Sequence, residues 1–334
     1  MKVAILSFTP KGALLQNRII TKFNYEFIVF DLEKNQIKKW LEKVFYQCDA
    51  IIFIGAAGIA TRLISTLLKG KDVDPGVLVM DELGKYVIPI LSGHIGGSNE
   101  LSIEISEKIN ATPIITTATD LNEKFAVDLW SKKNNCKIED ISKIKYISSA
   151  VLRDELIGFY SDFEIIGKLP NEIIKIDSPE SRIENGICVS LNPNLFPFKN
   201  TINIIPQVIT LGIGCKRGTK AVELEKFILE ELDKKKISLK SIVGIATIDL
   251  KKDEEGLLEF AKKYNLEIVF YTKDELNEVE GDFTGSEFVK SITGVDNVCE
   301  RSCILKSSGE LIAKKNSKNG MTLAIARNYW GCKF

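Results

Sequence analysis

VAILSF (3–8), ALLQNRIITKF (13–23), EFIVFD (26–31), IKKWLEKVFYQC (37–48) and AIIFI (50–54) follow one another at the start of the chain. Short β-branched runs alternate with segments whose apolar residues recur every three or four positions, so the order is strand, helix, strand, helix, strand. The alternation continues through GIATRLISTLL (58–68) as helix, VLVMD (77–81) and YVIPIL (86–91) as strands, NELSIEISEKI (99–109) as helix, PIITT (113–117) as strand and EKFAVDLWSKK (123–133) as helix. In the fourth helix Leu101, Ile105 and Ile109 form one apolar stripe, with Glu100, Glu104, Glu107 and Lys108 largely off it. The expected fold is α/β. A three-layer α/β/α domain with a mostly parallel sheet occupies 1–135.

From 136 to 206 the pattern is less regular. IKYISS (144–149), FEIIGKL (163–169) and GICVSL (186–191) are broken by SPES, LNPN and FPFKN, which are rich in turn formers, and predict a small irregular middle module. A second α/β domain is expected over 207–334. It opens with VITLGIG (208–214), the loop GCKRGT and a helix whose Ala221, Leu224, Ile228 and Leu232 share a face. SIVGIATI, LEIVFY, ELIAKK and TLAIAR are its further strands, and a helix lies near VDNVCERSCIL (295–305).

A chain of 334 residues exceeds the usual single core, which fits this division. Lys plus Arg equals Asp plus Glu at 45 each, so no global basic field exists to hold a nucleic acid. MKVAILSF lacks the features of a secretory signal, and the longest apolar run, AIIFIGAAGIA (50–60), is about half of a membrane span. A cytoplasmic protein without a membrane segment is expected. Seven scattered cysteines suit reduced thiols, and Cys299 with Cys303 is too few ligands for a zinc site.

Three strands run into glycine loops that lead to helices: GAAGIATR (55–62), SGHIGGSN (92–99) and GIGCKRGT (212–219). Such junctions present backbone N–H groups and suit carboxylates or phosphates, although glycines there also serve tight turns alone. Open parallel sheets bind ligands at the carboxyl ends of their strands, which makes three such loops in one chain informative. The GxxxxGK[ST] pattern is absent. Gly55, Gly58 and Asp81 imitate part of a dinucleotide fingerprint, but the first strand-to-helix turn, TPKG, lacks it. The second loop holds His94, the one histidine of the chain, between Gly93 and the pair Gly96-Gly97. An imidazole beside free backbone N–H groups combines proton transfer with oxyanion stabilisation, the two needs of attack on an ester carbonyl.

DELGKYVIPILSGHIGGSNELS (81–102), NATPIITTATDLNEKFAVDLW (110–130), GAAGIATRLI (55–64) and DPGVLVMDE (74–82) closely resemble the N-terminal region of the CbiG family of the anaerobic cobalamin pathway. LGIGCKRGT (211–219) and FTGSEFVKSITGVDNVCE (283–300) resemble that family's C-terminal domain, shared with the CobE proteins. The likeness spans nearly the whole chain; Ser98 stands where alanine is expected in many members. It implies a cobalt-precorrin-5A hydrolase, which opens a δ-lactone on a cobalt-containing corrin precursor and releases a two-carbon fragment as acetaldehyde. The cobalt is then carried by the substrate and no further cofactor is needed. With that substrate, His94 is expected to start attack on the lactone carbonyl, N–H groups near Gly96 and Gly97 to hold the oxyanion, and Glu100 and Asp120 to supply further acid or base. Gly55, Gly58, Arg62, Gly93, Ser98, Asn99, Gly214, Lys216, Arg217 and Thr219 would bind the substrate, the cations meeting its carboxylates. The alternative is a non-catalytic corrinoid- or nucleotide-binding protein, and a homodimer is the expected assembly.

Overall fold

A computed structural model describes residues 1–30, 36–71, 73–122, 124–179 and 182–334. Asp31 of the EFIVFD run, Glu123 of the EKFAVDLWSKK run and residues 180–181 of SPES lie outside them. The chain divides into two compact units, Met1–Leu129 and Trp130–Phe334.

The first unit is built on strands β1 (Lys2–Ser7), β2 (Glu26–Val29), β3 (Ala50–Ile54), β4 (Gly76–Met80), β5 (Tyr86–Leu91) and β6 (Thr112–Pro113). They form one sheet in the order β2-β1-β3-β4-β5-β6. Helices α1 (Pro10–Ile20), α2 (Ile37–Val44), α3 (Ala57–Ile64), α4 (Ser98–Ile109) and α5 (Ala118–Leu121) follow in turn, and α6 (Val127–Lys133) begins in this unit. Successive strand residues point to opposite faces, and both faces are apolar. Val3, Ile5, Ile52, Ile54, Leu78 and Met80 pack with Leu15 and Ile19 of α1 and the Leu101-Ile105-Ile109 stripe of α4. Ala4, Leu6, Ile51, Phe53, Val77 and Val79 pack with Leu41 and Val44 of α2 and with Ala60 and Ile64 of α3. This is the three-layer arrangement expected from the alternation.

β1 to β4 run parallel, but β5 runs antiparallel to β4, with Met80 opposite Val87 and Val77 opposite Leu91. The connection Asp81–Lys85 is far too short for a parallel crossover and makes a hairpin. Asp81 holds that turn: its carboxylate accepts the N–H groups of Leu83, Lys85 and Tyr86 at 2.9, 2.9 and 2.7 Å. β6 runs parallel to β5, and of PIITT only Pro113 is strand, paired after Thr112; a proline offers the ladder no N–H.

The second unit holds two larger sheets. β7 (Cys136–Ile138), β8 (Ile157–Ser161), β10 (Ile173–Lys175), β11 (Asn185–Val189) and β12 (Asn200–Pro206) form one in the order β10-β8-β11-β12-β7, parallel except for β7. The middle segment is therefore more regular than its broken sequence suggests. IKYISS is helical, within α7 (Ile144–Leu152), where Ile147, Ala150 and Val151 face inward at helical spacing. A short parallel pair joins β9 (Ile165–Ile166) to the C-terminal β18 (Cys332–Lys333). That strand explains why the second unit begins at Trp130, earlier than residue 136: Trp130 Nε1 donates to the Lys333 carbonyl at 2.8 Å, Asn134 exchanges hydrogen bonds with Lys333, and the Trp130 ring stacks on Phe334.

The other sheet has the order β15-β14-β13-β17-β16, from β13 (Ile209–Cys215), β14 (Ile242–Ile248), β15 (Glu267–Tyr271), β16 (Glu310–Lys318) and β17 (Met321–Arg327). β13, β14 and β15 are parallel, and β17 and β16 antiparallel. Leu224, Phe227, Ile228 and Leu232 of α8 (Ala221–Lys234) and Leu257 and Phe260 of α9 (Glu255–Lys263) share one core cluster. Cys299 and Cys303 of α12 (Val298–Ser307) pack on Ala324 and Ala326 of β17. The short α10 (Lys273–Asn277) and α11 (Glu287–Thr293) precede α12.

Candidate active site

Because β5 and β6 are parallel to one another and opposed to β4, the loop after β5 and the loop after β6 leave the sheet at one end. The first carries His94 and the second carries Asp120 on α5. His94 Nε2 lies 2.9 Å from Asp120 Oδ2, and Nδ1 lies 3.1 Å from each oxygen of Asp128, on the first turn of α6. The imidazole is half-buried, with 11% of its side chain exposed; Asp128 is 13% exposed and Asp120 29%, so Asp120 is the member most open to solvent.

Two carboxylates on one ring decide its charge. The hydrogen bond that His94 donates to Asp128 comes first, opposed by burial and aided by the charge of Asp128 and by Asp120, and together they push the His94 pKa up to about 9. Burial alone would raise Asp128, but its hydrogen bond and ion pair with His94 and the N–H of Leu129 outweigh it and hold its carboxyl below the usual range. At neutral pH the ring is an imidazolium that donates from both nitrogens. The expectation of a free imidazole base is replaced by a cation held between two carboxylates.

The glycine loop builds this clamp. Gly97 has φ +74° and serves as the N-cap of α4. Gly93 lies against the Asn99 amide, so close that a Cβ there would sit 2.8 Å from Asn99 Oδ1. Asn99, itself buried, donates from Nδ2 to Asp120 Oδ2 at 2.7 Å and to Thr117 Oγ1 at 3.1 Å. Asp120 Oδ2 thus accepts from both Asn99 and His94. The Gly97 N–H, expected to hold an oxyanion, donates instead to the His94 carbonyl at 3.0 Å, and the N–H groups of Ser98 and Asn99 close onto Ser92 and Gly93. Ile95 and Gly96 keep backbone N–H groups without an acceptor among the described residues. Ser98 is fully buried and its hydroxyl donates to the Leu91 carbonyl, which makes it part of the loop's frame and removes it from any substrate surface. Glu100 is exposed on α4; the second carboxylate on the imidazole is Asp128. Sequence reading missed Asp128, whose one signal was a lone acid inside the apolar run FAVDLW.

The GAAG loop of the first unit stands elsewhere on its sheet. GAAG follows β3, which is antiparallel to β5, so it leaves the sheet at the opposite end from His94. Gly55 is a packing glycine: a Cβ there would lie 2.6 Å from the Phe8 ring. Gly58 is open, with nothing within 4 Å of a Cβ, and Arg62 is exposed on the last turn of α3. The hairpin role of Asp81 removes the acid of the dinucleotide fingerprint. Gly214, Lys216, Arg217 and Thr219 belong to the second unit. There Thr219 is buried and donates to the Lys216 carbonyl at 2.8 Å, and Arg217 is paired with Asp253 at 2.5 Å. Among the described residues no group of three or more His, Cys, Asp or Glu side chains is arranged to hold a metal ion.

Three family descriptions match in chain order: "Cobalamin synthesis G N-terminal" over residues 39–120, "Cobalamin biosynthesis central region" over 125–206 and "Cobalamin synthesis G C-terminus" over 209–326. The cobalt-precorrin-5A hydrolase of Salmonella typhimurium is 31% identical over 97% of this chain and 97% of its own length. The chain belongs to the cobalamin synthesis G family. The cobalt-precorrin-5A hydrolase of Priestia megaterium, another relative, is 34% identical over 87% of this chain and 81% of its own. A cobalamin biosynthesis protein G homologue from Sulfolobus solfataricus, of known structure, is 25% identical, covers 98% of this chain and 97% of its own, and has a TM-score of 0.43. In this member of the cobalamin synthesis G family the clamp draws on two of the matched segments: His94, Asn99 and Asp120 lie in the N-terminal match and Asp128 in the central one.

Proposed function

We propose that this chain is a cobalt-precorrin-5A hydrolase, and that the Asp128–His94–Asp120 clamp performs the chemistry. The observation that carries the substrate is the match to proteins of that name along nearly the whole chain. The observation that carries the site is the solitary imidazole held between two carboxylates, one of them open to solvent.

Asp120 is the proton carrier. His94 and Asn99 fix its Oδ2 from two directions, which aims the carboxylate and leaves Oδ1 outside both bonds on a side chain 29% exposed. A water there gives its proton to Asp120 as its oxygen bonds to the lactone acyl carbon. The N–H groups of Ile95 and Gly96 are among the loop's donors for the carbonyl oxygen. When the acyl carbon–ring oxygen bond breaks, the proton returns to the departing alkoxide, leaving a carboxylic acid and an alcohol. For the second step Asp120 takes the alcohol proton, the adjacent carbon–carbon bond breaks, acetaldehyde leaves, and the electron pair enters the conjugated macrocycle. The half-buried imidazolium counters the charge of Asp128 throughout and that of Asp120 whenever it is ionised. Cobalt enters with the substrate, and the protein supplies orientation and proton transfer.

Anaerobic incubation of the purified protein with cobalt-precorrin-5A tests this reading. Stoichiometric acetaldehyde and a corrinoid product shortened by two carbons are expected. Recovery of intact substrate, with the protein folded, would overturn it.

A further inference from the structure

The second unit contains a cavity of about 360 Å³ where β13 and β14 end, the place at which parallel strands present ligands. Its walls are largely apolar, with Ile248, Val289 and Val298 inside and Phe288 and Ile292 on α11. Phe288 and Ile292 stand one helical turn apart and are 74% and 63% exposed. Four cations line the same cavity, and three have partners: Arg217 with Asp253, Lys251 with Glu254, and Lys315 with the Thr284 carbonyl. Lys216 differs. Its stem packs on Gly320 and its ammonium has no acceptor among the described residues.

An apolar hollow with one unpaired ammonium at its mouth selects a flat or bulky apolar body carrying an acid arm. We infer that this cavity recognises one carboxylate-bearing edge of a tetrapyrrole-type macrocycle, with Lys216 on the carboxylate and Phe288 and Ile292 under the ring system. The inference rests on the proposed hydrolase reading for its choice of ligand. The volume admits one five-membered ring and its acid side chain, while a four-ring disc is too large and must lie partly outside, over the exposed apolar pair. Drug-sized pockets begin at roughly 300 Å³, so the cavity is of useful size for such an edge.

Calorimetric titration of the full chain with dicyanocobyrinic acid, a stable corrinoid whose peripheral arms are free carboxylates, tests this. Dicyanocobinamide, with those arms capped as amides, is the uncharged control. Saturable binding of the acid, much weaker binding of the amide, and a roughly tenfold to hundredfold loss in Lys216→Ala are expected, since a charge-assisted hydrogen bond is removed. Lys216→Arg should retain the affinity, and Phe288→Ser with Ile292→Ser should lose it. Equal binding of acid and amide, unchanged affinity in Lys216→Ala, or no saturable binding by the parent would overturn the assignment. The probe has no lactone, so this result is separable from turnover. Failure here with acetaldehyde release intact removes the pocket and leaves the hydrolase; carboxylate-dependent binding without acetaldehyde release does the reverse.

Discussion

Two glycine loops of the first unit, GAAG after β3 and SGHIGG after β5, look equivalent in sequence and lie at opposite ends of one sheet. At the GAAG end only one glycine answers to packing: Gly55 makes room for Phe8, whereas Gly58 faces open space. At the SGHIGG end they answer to side chains that titrate: Gly93 admits the Asn99 amide, which holds Asp120 against His94. The difference teaches that a glycine loop marks a place where backbone can come close, and that the convergence of ionisable groups decides whether chemistry follows.

The sharpest way to break this contrast is Asp120→Asn. It keeps the shape and removes the proton acceptor, so kcat should fall roughly 10²–10⁴-fold with the thermal midpoint nearly unchanged. An active Asp120→Asn variant would move the chemistry away from the clamp.

Stability against pH probes the same end. The His94 pKa is raised from 6.5 to about 9 on folding, so its contribution is complete below the unfolded value and is lost as the pH rises through about 9. The size is on the order of 3 kcal/mol, measurable by denaturant titration at pH 7 and pH 10. Asp128, with its pKa lowered, contributes the opposite limb, lost as the pH falls through its depressed value. A flat profile between pH 7 and 10 in the parent, or the same decline in His94→Gln, would break the link.

Smaller effects belong to the other end of the sheet. Gly55→Ala forces the Phe8 ring to move and should cost about 1–3 kcal/mol in chemical denaturation with kcat unchanged. Gly58→Ala adds a methyl into open space on a helix and should stabilise by about 0.5–1 kcal/mol, again without change in kcat. Lost turnover in either folded variant would show that GAAG serves the reaction after all.

The layers of the first unit were legible because short apolar β-branched runs and helices with apolar residues every three or four positions need only local sequence. Val3, Ile5 and the Leu101-Ile105-Ile109 stripe face their core as the pattern required. The direction of β5 was legible in principle too, since the connection Asp81–Lys85 cannot carry a parallel crossover; counting three loops as one kind obscured it. The middle sheet was hidden because its strands are short and separated by turns such as LNPN, so that pairing partners are distant in sequence. His94, Asp120 and Asn99 could be singled out from residue type and neighbourhood. Asp128 could not, because its role depends on where α6 begins in space, a tertiary fact that no spacing encodes.

The chain has one histidine, so a single ring signal reports on the clamp without assignment. Nuclear magnetic resonance titration of protein carrying labelled histidine is the most direct test. A midpoint near 9, with both ring nitrogens protonated at neutral pH, is expected of an imidazolium held between Asp120 and Asp128. A midpoint at or below the ordinary value of 6.5, or a neutral ring at pH 7, would contradict it.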